Sequence, residues 1–227
     1  MKNNEWYLNK DWNAETKEFF EAKLKKVRDP YNKAQYLRIK GNRLLKTNSK
    51  IKQEVGVGLL NRVLDNFIDE ETQAYSAAEI LGDYYRLDKE ISLSEKYYRK
   101  VIIYYQRSRS GTSGIADIKL AEMIVDSKQK DKYDEMYLLL TEVFESTKGK
   151  LIFNDNKFRY ALVLCKITHS IDKKDEAIYY AKKAFEIANI TEPQLNTKPI
   201  GIPKPNNEDL EFLKMVKNGR ASQSKTR

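Results

Sequence analysis

The sequence predicts an all-α protein built of paired helices, on three observations. All five prolines of the 227-residue chain sit at Pro30 or from Pro193 onward, so Tyr31 to Glu192 runs without a residue that breaks helices. Small and apolar residues recur there at steps of three and four, the spacing of one helical face. The composition, 33% charged and 41% hydrophobic with many Glu, Lys, Leu, Ala and Tyr, suits amphipathic helices better than strands. At this length the chain can bury a substantial core, as one large domain or one continuous array. The expected division is an N-terminal cap with its helix over 1–30, a helical array over 31–190, a proline-rich segment with a capping helix over 191–217, and a disordered basic tail over 218–227.

Residues 1–12 are polar apart from Trp6, Tyr7 and Trp12, aromatics expected to cover the open end of the array; an aromatic anchor for a partner is the sharper alternative. Asn13 suits the N-cap of a helix over 14–28, with Phe19, Phe20, Leu24 and Val27 as its apolar face. Asp29-Pro30 ends it. A helix over 31–46 follows, with Ala34, Leu37, Gly41 and Leu44 on one side. Its mate over 52–67 sets Gly56, Leu60 and Val63 against it.

The stretch from Gln73 to Gln106 is the clearest unit. Tyr75, Ala78, Leu81, Gly82 and Tyr85 share one helical face, and Ile91, Ser94, Tyr98, Val101 and Tyr105 share another. Arg86 to Lys89 between them leaves room only for a tight turn. Gly82 and Ser94 let the two backbones approach where the larger side chains interlock. This stretch resembles a tetratricopeptide repeat, whose unit has a Leu-Gly-x-x-Tyr first helix and an Ala-x-x-x-Phe-x-x-Ala second helix. The matching residues are Leu81-Gly82-x-x-Tyr85 and Ser94-x-x-x-Tyr98-x-x-Val101, while Ala78 and Gln106 stand where the family has tryptophan and proline. The resemblance implies a right-handed α-α superhelix, a tetratricopeptide-like solenoid of about four helix pairs over residues 31–190. Trp6-Tyr7, Trp12, Phe19-Phe20 and the run from Gln35 to Lys40 are also similar to a group of stand-alone bacterial members of unassigned role.

Ser108 to Gly114 reads as a mobile loop. The third pair, over 116–125 and 132–144, has Ala121 at the small position of its first helix and Met136 where the second helix is normally small, which should widen its packing. Gly149 is placed to end that helix. In the fourth pair Leu164-Cys165 stands where Leu81-Gly82 stands, with Ala177, Ala181 and Ala184 opposite. Asp172 and Asp175 are expected to start its second helix. From Thr191 to Asn206 the proline-rich chain should run extended over the last pair, docking through Leu195, Ile200 and Ile202. Leu210, Phe212, Leu213 and Val216 form the apolar side of a closing helix.

The net charge of +9 belongs to the ends: residues 1–50 carry 13 Lys and Arg against 6 Asp and Glu, and residues 191–227 carry 7 against 4. The start MKNNEWYLNKDW lacks the apolar core of a signal peptide, and no apolar run approaches the ~20 residues of a membrane span, so a cytoplasmic protein without a membrane partner is expected. One Cys and one His leave little for metal or nucleophilic chemistry. Cys165 is expected at a tight helix crossing, with a Cys165–His169 dyad as the enzymatic alternative. Asp69-Glu70-Glu71 is a helix start rather than a carboxylate site. No enzyme activity and no cofactor are expected.

In the resembled family the first helices line a concave groove. Residues three before and one after the Gly82 position point into it. Carried over, these are Arg38 and Asn42, Glu79 and Asp83, Ile118 and Glu122, and Leu162 and Lys166, with Leu45 or Lys46, Arg86 and His169 one turn on. Arg38 with Asn42 is similar to half of the family's carboxylate clamp, whose other half is missing. The mixed lining implies a non-enzymatic adaptor for a protein or peptide segment carrying both charge signs. A nucleic-acid-binding or regulatory module using the basic N-terminal segment and tail is the alternative.

Overall fold

The computed structural model describes residues 6–195 and 200–219, so positions 220–227 of the expected tail lie outside the described residues. It is all helical, with no β-strand among the described residues. The chain forms two compact units, residues 1–116 and 117–227.

The first unit opens with α1 (Ala14–Lys26), fixed by a reciprocal cap. Asn13 Oδ1 accepts the Thr16 N–H at 2.9 Å, and Thr16 Oγ1 accepts the Asn13 N–H at 2.8 Å. Phe20 and Leu24 are buried as expected, but Phe19 is turned outward, beneath the Lys23 ammonium. Pro30 does two jobs. It stops α1, and it occupies the first turn of α2 (Pro30–Leu45), capped by the Asp29 carboxylate on the Asn32 N–H. α3 (Lys50–Asn66) is capped by Ser49. Its crossing with α2 is as close as backbones allow: a Cβ on Gly56 would lie 2.8 Å from the Gly41 carbonyl oxygen, and one on Gly41 would lie 3.0 Å from that of Gly56.

α4 (Glu71–Leu87) and α5 (Ile91–Tyr104) repeat this arrangement with other atoms. The Tyr98 ring lies 2.8 Å from where a Gly82 Cβ would stand, and Ser94 Oγ donates to the Gly82 carbonyl at 2.8 Å. The segment from Ser108 to Gly114, expected as a mobile loop, is tied to α4 and α5. The Glu79 carboxylate takes both the N–H and the hydroxyl of Ser113, Arg109 stacks on Tyr105, and the Ala116 N–H donates to the Tyr105 hydroxyl.

The second unit begins with α6 (Ala116–Asp126), followed by a helical stretch that is not regular. A 3-10 turn (Lys130–Lys132) leads into α7 (Tyr133–Leu138), a π turn (Leu139–Val143) and α8 (Phe144–Ser146). The Tyr160 hydroxyl donates to the Leu140 carbonyl at 2.9 Å, the kind of side-chain insertion that widens a helical turn. Met136 is fully buried. α9 (Asn154–Ser170) and α10 (Lys174–Ala188) pair through Cys165, whose thiol donates to the Ala177 carbonyl at 3.5 Å.

Two sequence expectations about helix ends change. Asp172 does not start α10; it sits in the left-handed region at φ 61° and ends α9, with the Lys173 N–H donating back to the Thr168 carbonyl. Similarly Lys148, not Gly149, takes the left-handed position after α8, at φ 57°. Gly149 stays small because the Phe144 ring lies 2.6 Å from where its Cβ would be.

The N-terminus of α9 has no side-chain cap of its own. Gln194 supplies one from the proline-rich segment, its Oε1 accepting the Asn154 N–H at 2.5 Å and its Nε2 donating to the Ile152 carbonyl at 3.1 Å. The apolar anchors of that segment also differ: Leu195 is exposed, while Gly201 and Pro203 are buried. α11 (Asn207–Lys217), capped by Asn206, sets Leu213 and Val216 into a cluster with Phe158, Ala161, Cys165, Ala177, Ala181 and Ala184. The small-position residues Gly41, Gly82, Ala121 and Cys165 are therefore all buried.

Candidate recognition surface

In the first unit α2 and α4 lie side by side. Arg38 Nε donates to Gln73 Oε1 at 2.7 Å across them, and burial lowers the Arg38 pKa from its usual value. Asn42 is half-buried and Lys46 is exposed at the C-cap of α2, whereas Leu45, its alternative, is buried. On α4 the Glu79 carboxylate is buried and holds Ser113. Asp83 accepts from the Tyr98 hydroxyl at 2.7 Å, and Arg86 is half-buried nearby.

In the second unit, Glu122 is clasped by Arg159 through two bonds of 2.7 Å. Lys166 meets Asp209 at 2.7 Å, and His169 meets the Phe212 ring edge-on at 5.6 Å. α11 thus covers the positions of α9 that were expected to face a partner. Ile118, expected to point outward, is fully buried. Most of the predicted surface residues prove to be ties between a first helix and an element that comes later in the chain. Their partners Gln73, Ser113, Arg159 and Asp209 are not identifiable from spacing, because each stands more than thirty residues away.

Lys40 was not singled out by its pattern, yet it is the least expected side chain of the first unit. It is 1% exposed, and its ammonium donates to the Asn9 carbonyl at 3.0 Å, the Asn9 side-chain oxygen and the Asp11 carbonyl at 3.1 Å. The same ammonium lies over the Trp12 and Phe20 rings, at 5.4 and 5.8 Å. Burial pushes its pKa down to about 8, with nearby Lys52 and Arg43 adding to the shift and Asp11 opposing it. The signal was present in the sequence: Lys40 falls in the apolar stripe, three residues after Leu37 and four before Leu44. Trp6 packs on Tyr7, Phe20 and Tyr36, as expected of a cap.

The Cys165–His169 dyad finds little support. Cys165 is fully buried, its thiol is pushed up to about 12 by desolvation, and its sulfur is turned to the Ala177 carbonyl. Labelling of the native protein by a thiol reagent at neutral pH is therefore expected to be at least about a hundredfold slower than in denaturant; equal rates would show an accessible, activated thiol. Among the described residues no three His, Cys, Asp or Glu side chains gather as a metal site requires. Nor, among them, is any helix long and apolar enough to cross a membrane. A cleft of about 540 Å³ between α1, α2 and α3 has Leu24, Leu37 and Phe67 among its lining residues, together with both carboxylates, Glu18 and Glu21, and cations, Lys25, Lys33 and Arg62.

These features define an all-helical protein of consecutive helix pairs closed through small residues, with charged first-helix faces. Compared with family models, with curated proteins and with solved structures, the chain matches none of them.

Proposed function

We propose that this chain is a tetratricopeptide-like adaptor: a non-enzymatic protein that holds a segment of another protein against the outward faces of α2 and α4. The observation that carries this reading is their juxtaposition. Two first helices, bridged by Arg38 and Gln73, set Arg38, Asn42, Asp83 and Arg86 partly exposed on neighbouring elements. Rigid helices that offer polar groups at fixed intervals suit recognition of a peptide. The repeated crossings at Gly41/Gly56, Gly82/Ser94 and Cys165/Ala177 support the repeat resemblance, since each sets a small residue of one helix against the other. The contacts of Lys166 and His169 with α11 move the proposed site into the first unit. A cytoplasmic location, without a membrane partner, accompanies the proposal.

The test is a pull-down from the protein's own host with wild-type bait and with bait carrying Arg38→Glu and Asn42→Glu together. The expected result is loss of specific partners from a variant whose far-ultraviolet circular dichroism still reports the folded helices. A partner set identical between the two baits would remove the α2 face from the reading.

A further inference from the structure

α2 is unusual in its charge. Between Pro30 and Leu45 it carries Lys33, Arg38, Lys40 and Arg43 with no Asp or Glu, and Lys46 caps it. Elsewhere in the protein cations are commonly paired with carboxylates: Arg62 with Glu21, Arg99 with Glu95, Arg107 with Glu71 and Arg159 with Glu122. On α2 none is so paired among the described residues. Arg38 bonds a neutral amide and Lys40 bonds carbonyl and amide oxygens. The side chains of Asn42, Arg43 and Lys46 make no hydrogen bond or ion pair among the described residues. The nearest carboxylates by pattern, on α4, are engaged elsewhere: Glu79 by Ser113 and Asp83 by Tyr98. Around Lys40, Asp11 favours the charge while Lys52 and Arg43 both disfavour it. Arg43 and Lys46 have no such carboxylate among the described residues, and negative charge from outside the fold would complement them.

We infer that the outward face of α2 takes an acidic protein segment, bound extended with carboxylates at alternate residues. This rests on the proposed adaptor role and names the chemistry of its partner. Arg38, Asn42 and Lys46 are spaced by four residues along one side of the helix, about 6 Å per step at 1.5 Å per residue. Side chains at alternate positions of an extended chain are about 6.6 Å apart on one side, so successive carboxylates meet successive helix positions. Arg43 stands one residue on from Asn42 and adds a second cation to the middle of the row. A protein segment fits better than a nucleic acid. A phosphate backbone continuing onto α4 would meet the Glu79 and Asp83 carboxylates, whereas a peptide can change sign there.

Fluorescence anisotropy on the full chain tests this with a labelled peptide of alternating Glu and Ser, its Lys-for-Glu counterpart, and a single-stranded RNA of similar length. The acidic peptide is expected to bind saturably and to weaken between about 50 mM and about 200 mM salt, while the basic one does not bind. Arg43→Glu with Lys46→Glu should lower its affinity by about tenfold or more, a change of about 1.4 kcal/mol, and Arg43→Gln with Lys46→Gln by less. Reversal of exposed Lys100 and Lys182 should leave it unchanged. Failure of the acidic peptide to bind, equal loss from the Lys100 and Lys182 reversal, or tighter binding of the RNA lost in the same Arg43/Lys46 variant would each overturn the inference. Should the pull-down still show a partner sensitive to Arg38 and Asn42 while the acidic peptide fails, the acidic preference falls and the adaptor role stands.

Discussion

Gly56→Leu is expected to lower stability by about 3 kcal/mol, at the upper end of what overpacking usually costs, because the added side chain meets backbone and not a flexible neighbour. A Cβ at residue 56 would stand 2.8 Å from the Gly41 carbonyl oxygen, so the crossing of α2 and α3 must open along its length. For a chain of this size that corresponds to a fall in melting temperature of roughly 6–12 °C. Gly56→Ala should fall in the same direction by less. The internal control is two residues away on the same helix: Gly58 has nothing within 4 Å of its would-be Cβ, so Gly58→Ala should raise stability, by up to about 1 kcal/mol, through helix propensity alone. Thermal melts that rank the two alanine variants in the opposite order would show that α2 and α3 do not cross at Gly56.

Lys40→Ala should cost about 3 kcal/mol or more, since it empties a packed site and leaves the Asn9 and Asp11 carbonyls without their donor. The loss has a local signature, because Trp6 and Trp12 are the protein's two tryptophans and both lie in the segment that Lys40 holds. Their emission should shift to the red in the variant under conditions where far-ultraviolet circular dichroism still reports helix. Unchanged emission would mean that the aromatic contacts alone keep the segment in place.

Lys40 also predicts a pH dependence. The unfolded amine keeps its proton up to its ordinary value of 10.5, and the folded one gives it up near 8. Between these values the unfolded chain binds more protons, so this residue's contribution to stability rises with pH through that window and is flat below it. From pH 8 to about 9.5 the gain is up to about 2 kcal/mol. The rise should vanish in Lys40→Met, and a stability that rises by the same amount in both proteins would place its cause elsewhere.

The helices and their crossings were legible because the signals are local. Leu81-Gly82 with Ser94 and Tyr98, Gly41 with Gly56, and Leu164-Cys165 with Ala177 give the pairs, and Asn13 gives the start observed for α1. Less was legible at helix ends. Asp172 is favourable both as an N-cap and in the left-handed region, and only the path from α9 to α10 decides that it takes the second role. The candidate surface was read least well. Glu122 and Lys166 were expected to point outward because groove positions of the resembled family were carried over to them, and each is instead claimed by a helix that arrives later in the chain.

The sequence by itself determined which segments are helical, how they pair and where backbones come closest, since 3.6 residues per turn and the size of a side chain act over one or two turns. Only the tertiary structure decided which charges remain available. Arg38 bonds a residue 35 positions on, Glu79 one 34 on and Lys166 one 43 on, and what meets across such gaps depends on which helices come to lie together. Charge on a helix surface is compatible with solvent, with a neighbouring helix or with a partner. Packing chooses among these, and on α2 it left the positive charge without an ion pair to a carboxylate among the described residues.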